Sequence, residues 1–284
     1  MVKARRMWWC VAILMAVGTG GLAGCGGGTT KADFVKEADA ACRSTDTTLT
    51  GIAKPRDLSS LATESEKLAT ANDQQVVAVR KLDMPGGDDK KRAETVLADL
   101  GAVTPAARNV EAKARASDLA AGPAVTEAKA KAQTASDAAR AYGFTVCGAG
   151  VQKASVAVAE GARPALKKEW VTKAEALCAV FSDKVNGLRR PTSASGLDAY
   201  GNAFVGAIND FTSGLEVLPA PPGDEAVVAD IIVSVEKLVP VFERVVAAAK
   251  TGNESEAANR QKELDQAGKA SDAKSTAYGL GDCG

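Results

Sequence analysis

The chain has 284 residues, with 35 basic and 35 acidic side chains, 46% hydrophobic residues and only 4% aromatic ones. It contains no histidine, which removes the commonest general base and the commonest metal ligand together. With charge balanced and no long basic block, nucleic acid is not an expected partner.

The N-terminus is built in three parts. Lys3, Arg5 and Arg6 form a positive n-region, Trp8 to Val17 a short apolar h-region, and Gly18 to Gly24 a small-residue stretch that a peptidase can extend in its cleft. The apolar run is shorter than the roughly 20 residues a permanent membrane span needs. Leu22-Ala23-Gly24-Cys25 is a lipobox, so cleavage before Cys25 and diacylation of that cysteine are expected. Residues 1–24 read as a lipoprotein signal peptide and 25–30 as a flexible tether. Arg5-Arg6-Met7-Trp8-Trp9 loosely resembles a twin-arginine motif, a weak signal that leaves the Sec and Tat export routes both open. Loss of the three signal cations takes the basic count from 35 to 32 against 35 acids. Membrane affinity must then come from lipid rather than charge, and two acyl chains suffice. The expected location is the outer face of the cytoplasmic membrane.

Cys10 leaves with the signal segment, and Cys25 carries lipid. Cys42, Cys147, Cys178 and Cys283 remain in an oxidising compartment, an even number that implies disulfides. Four cysteines permit three connectivities. Cys42 to Cys147 and Cys178 to Cys283 are both separated by 105 residues, which favours one bridge in each of two tandem copies. Bridging between copies would require them to interleave.

Sliding the chain by 136 residues supports the duplication. Phe34-Val35 falls on Trp170-Val171, Ala38 on Ala174, Lys54-Pro55 on Arg190-Pro191, and Leu82 on Leu218. Gly87-Asp88-Asp89 falls on Gly223-Asp224-Glu225, and Ala141-Tyr142-Gly143 on Ala277-Tyr278-Gly279. The copies span 31–148 and 166–284, joined by a linker over 149–165.

Each copy reads as helices. Trp170, Ala174, Leu177, Phe181, Val185 and Leu188 recur at steps of three and four, and Phe34, Ala38, Ala41, Leu49 and Ile52 trace the same stripe in the first copy. Pro55 and Pro191 end these first helices. Second helices are expected over Leu58–Leu82 and Leu197–Leu218. Third helices begin at Asp88 and Asp224, are kinked by Pro105 and Pro240, and have Gly122 and Gly252 near their ends. Fourth helices run to Tyr142 and Tyr278, with Gly143 and Gly279 as left-handed caps. In the linker, Val151 to Glu160 is helical and Gly161 to Pro164 is a break. The fold class is all-α, two tandem four-helix-bundle-like domains each closed by one disulfide. Alanine-rich helices make thin cores, so the bridges matter for stability.

No nucleotide-binding loop or nucleophile elbow is present. The acidic pairs Asp88-Asp89 and Asp224-Glu225 suit a cation site or, more simply, caps of the third helices. The second copy holds Trp170, Phe181, Tyr200, Phe204, Phe211, Phe242 and Tyr278 against Phe34, Tyr142 and Phe144 in the first. Such a set either lines an apolar ligand pocket or makes a better core. A hydrolase using carboxylates alone is the remaining catalytic reading, and bundles without a marked cleft seldom host it.

Phe34…Cys42 and Trp170…Cys178, with the Tyr-Gly-x-x-x-Cys-Gly endings, resemble a tandem disulfide-bracketed repeat of secreted proteins and lipoproteins from high-GC actinobacteria. The resemblance covers nearly the whole mature chain and implies envelope location and a helical fold. It transfers no catalytic residue, and Tyr142 and Tyr278 stand where many members have leucine. The expected protein is non-enzymatic, without a cofactor or metal, serving as a structural or protein-interaction module of the envelope. The alternative is a carrier of a small apolar or lipid ligand in the second copy.

Overall fold

The computed structural model describes residues 29–189, 191 and 194–281, so Cys25 and Cys283 lie outside the described residues. Within them the chain is all-helical, with nine helices and no strand. None is long and apolar enough to cross a membrane.

Local sequence accounts for most helix ends. α1 (Lys31–Thr50) starts where the Thr30 hydroxyl accepts the Asp33 amide, and it stops ahead of Pro55. α2 (Leu58–Arg80) opens on a capping box in which Asp57 and Ser60 satisfy each other's amides. α3 is Gly87–Arg115, α4 Ala121–Tyr142 and α5 Ala149–Asn186. They are followed by α6 (Ala194–Glu216), α7 (Glu225–Glu236), α8 (Leu238–Lys250) and α9 (Glu254–Tyr278). Gly143 and Gly279 adopt φ of 118° and 112° and close α4 and α9 with matching Schellman turns. The amides of Phe144 and Leu280 bond to the carbonyls of Ala139 and Ser275.

α2 packs on α3 and α3 on α4, while α8 packs on α9 and α6. α5 joins the halves. Its first part lies against α1, α2 and α4, and it also packs on α6. Val151, Ala154, Val158, Ala162, Leu166, Trp170, Ala174 and Cys178 are buried along its length.

Two expectations are corrected here. Gly161 to Pro164 is not a break: α5 continues through both residues. Gly161 is a contact glycine, since a Cβ there would sit 2.3 Å from the Pro55 nitrogen. Pro164 costs the helix a hydrogen bond, yet Gly161, Ala162, Ala165 and Leu166 are buried on either side of it and hold the helix together. The same contrast explains the third helices. α3 runs unbroken past Pro105, where Val103, Ala106 and Ala107 are buried. Around the exposed Pro240, Leu238 and Val239 are only half-buried, and the chain divides at Lys237 into α7 and α8. The second correction concerns Gly122. It lies inside α4 rather than at the end of the third helix, and a Cβ there would sit 3.2 Å from the Pro222 ring.

Candidate functional site

Cys42 and Cys147 form a disulfide with Cα atoms 5.3 Å apart, tying α1 to the segment after α4. Cys178 is disulfide-bonded too, and Cys283, the partner assigned to it above, falls outside the described residues. Around the first bridge Asp39 makes a second, non-covalent tie. It is only 5% exposed, yet its carboxylate accepts the amides of Thr145 (2.9 Å), Val146 (2.9 Å) and Cys147 (3.1 Å) and the Thr145 hydroxyl (2.6 Å). Burial alone would raise this carboxyl, but the Thr145 hydroxyl and the three amides together hold it below the usual carboxylate value. Glu175, which lies 136 residues on, accepts the Gly281 amide at 3.2 Å.

The aromatic residues beside the two ties correspond as well. Phe34 meets Tyr142 edge-on at 6.3 Å, and Trp170 meets Tyr278 edge-on at 5.4 Å. The ammonium of Lys31 sits 4.7 Å over Tyr142 and that of Lys167 4.2 Å over Tyr278. These contacts make the first and last helices of each half a packed end, not an opening.

The acidic pairs diverge. Neither Asp88 nor Asp224 caps its helix with its side chain, contrary to the expected capping role. Asp88 is exposed beside Lys91, because the helix already begins at Gly87, whose φ of +60° takes the turn. Asp224 is 6% exposed and bonded to Arg163 at 2.5 Å and to the Tyr278 hydroxyl at 3.0 Å. Arg163 is part of α5, so this trio locks the bridging helix to the Pro221-Pro222-Gly223 turn. The Tyr278 phenol is pushed well above its ordinary value, first by burial and then by the bond it donates to Asp224. Among the described residues no group of three or more histidine, cysteine or acidic side chains could hold a metal ion.

Surface clefts among the described residues include two in the second half. One, of about 250 Å³, opens between α6 and α8 over Gly201, Val205, Phe242 and Val246, with the Asp198–Lys250 ion pair at its edge. Phe204 and Phe242 approach to 4.2 Å, with Tyr200 6.1 Å from Phe242. Phe181 instead stacks on Phe211 at 5.2 Å. The second cleft, of about 380 Å³, lies between the end of α6 and α7. Leu215, Val228 and Ile232 form its buried floor, and Glu216, Glu225 and Glu236 stand around it.

Sequence reasoning missed Asp39 and Glu175, although both are acidic within an apolar stripe and 136 residues apart. It also missed a polar seam in the first half. Asn72 donates to the Leu100 carbonyl and the Thr104 hydroxyl, while Ser65 Oγ, Asn72 Oδ1 and Gln75 Oε1 are buried without a hydrogen-bond partner among the described residues. The residues 136 further on are Gly201, Ile208 and Phe211, so the second half is apolar where the first is polar. No family model, no curated protein and no solved structure matches the chain.

Proposed function

We propose that the protein is a lipoprotein anchored through Cys25 at the outer face of the cytoplasmic membrane, where two tandem, separately bridged helical units act as a non-enzymatic interaction module. The anchor rests on the lipobox Leu22 to Cys25 and its n- and h-regions. The tandem reading is supported by the 136-residue correspondence, by paired aromatic and lysine contacts, and by matching glycine caps at Tyr142 and Tyr278.

One observation carries the interaction reading. The buried carboxylates Asp39 and Asp224 are fully used in holding helices together, whereas the α6–α7 cleft presents apolar surface beside Glu216 and Glu236, which have no ion pair or hydrogen bond among the described residues. Contiguous exposed apolar surface on a folded chain marks a place where another molecule binds.

Site-specific photo-crosslinking in intact cells tests this, with the reactive side chain placed at exposed Val77, Val180 and Val233 in turn. Discrete adducts with envelope proteins are expected from at least one position. The absence of adducts at every position, or a Cys25→Ser variant that stays fully membrane-bound, would contradict the reading. A second reading, a carrier of a small apolar molecule, is favoured by the α6–α8 cleft over Phe242. Native mass spectrometry of protein from its own membranes decides it, through the presence or absence of a co-purified ligand.

A further inference from the structure

The α6–α7 cleft combines an apolar stripe with a rim of carboxylates. Along α7, Glu225, Val228, Ala229, Ile232, Val233 and Glu236 share one face, at helical steps of three and four. An apolar stripe is thus bracketed by a glutamate at each end. Leu218, Pro219 and Ala220 form the facing wall and Glu216 adds a third carboxylate. Val233, on the stripe, is 41% exposed.

The carboxylates are not equivalent. Glu225 is held by backbone amides at the start of α7, those at Glu225 and Gly223, which lower its pKa. Glu216 and Glu236 are exposed, and neither forms an ion pair or hydrogen bond with any described residue. The positions corresponding to Glu216 and Glu236 in the first half are Arg80 and Leu100, so these two rim carboxylates belong to the second half alone.

We propose that this cleft docks an amphipathic helix of a partner protein whose apolar side chains are flanked by lysine or arginine. The inference rests on the interaction-module reading and names its partner class. Apolar anchors at i, i+3 or i+4 and i+7 match the stripe along α7, the usual way a helix lies in an apolar groove. Basic flanks would meet Glu216 and Glu236, which steers encounter and fixes direction. An anionic lipid surface, by contrast, is repelled by the same rim.

The test uses the full chain in nanodiscs of zwitterionic lipid and two synthetic helical peptides. Both carry leucines at i, i+4 and i+7; one is flanked by lysines and the other by glutamates. Fluorescence anisotropy should show the lysine peptide binding at least about tenfold more tightly, with affinity falling as salt rises. The double variant Glu216→Lys/Glu236→Lys changes only exposed, unpaired side chains, so the fold is retained, and it should exchange the preference between peptides. Val233→Asp should abolish binding of both. Equal affinity for the two peptides, or an unchanged preference in the double variant, would overturn the proposal. So would concentration-dependent self-association that the double variant removes, because the occupant would then be a second copy of this chain. If photo-crosslinking recovers partners from other positions while neither peptide binds, the docking inference fails and the module reading stands.

Discussion

Asp39→Ala should be far more damaging than its place on a small-residue helix suggests. The wild-type carboxylate takes four hydrogen bonds from the segment after α4. Thr145 is exposed, so its amide and hydroxyl can turn to water when the carboxylate is removed. The amides of half-buried Val146 and buried Cys147 cannot do so as readily. A stranded buried donor costs about 1–3 kcal/mol, which puts the total loss at about 3–5 kcal/mol. Urea unfolding with the disulfide intact measures this. The pH dependence adds an independent signature. Because the folded pKa of Asp39 lies below that of the unfolded chain, its contribution is complete above about pH 4 and is lost as pH falls through the folded value. The Asp39→Ala protein should therefore have a flatter acid limb than wild type. A loss below about 1 kcal/mol, or an unchanged acid limb, would refute the role assigned to this carboxylate.

Three other outcomes follow from the same geometry. Replacing Cys42 and Cys147 together by alanine should cost about 2–5 kcal/mol in urea unfolding, toward the upper end because the closed loop spans 105 residues. Gly161→Ala should destabilise by about 1–3 kcal/mol despite the better helix propensity of alanine, since its Cβ meets Pro55 at 2.3 Å; a gain in melting temperature would deny that close approach. The phenols of Tyr142 and Tyr278 are both raised, chiefly by burial. Ultraviolet titration should place them above the ordinary value of about 10, and the stability they contribute should be lost as pH rises through the folded values.

Periodicity and punctuation in the sequence were sufficient where local physics decides. Asp57 and Ser60, Pro55 after α1 and Pro191 after α5, and Gly143 and Gly279 set helix ends within a few residues of the expected places, and the Cys42–Cys147 bridge joins the residues whose spacing assigned it. Tertiary packing decided the rest. Gly161 and Pro164 carry breaking signals that burial on both sides of α5 overrides, and Pro240 ends a helix only because its surroundings are half-exposed. Asp88 and Asp224 occupy matching positions but differ in burial, because Arg163 reaches the second from outside the repeated segment. The α6–α7 cleft was not legible either. Its apolar stripe reads as core-facing until α7 and the end of α6 are seen to leave it uncovered.

Peptide mapping without reduction, on protein isolated from its native membranes, tests the central claim most directly. An N-terminal peptide beginning at diacylated Cys25, together with one bridged pair joining Cys42 to Cys147 and another joining Cys178 to Cys283, is the predicted result. An unmodified N-terminus upstream of Cys25, a free thiol at Cys178, or any bridge between the two halves would contradict it.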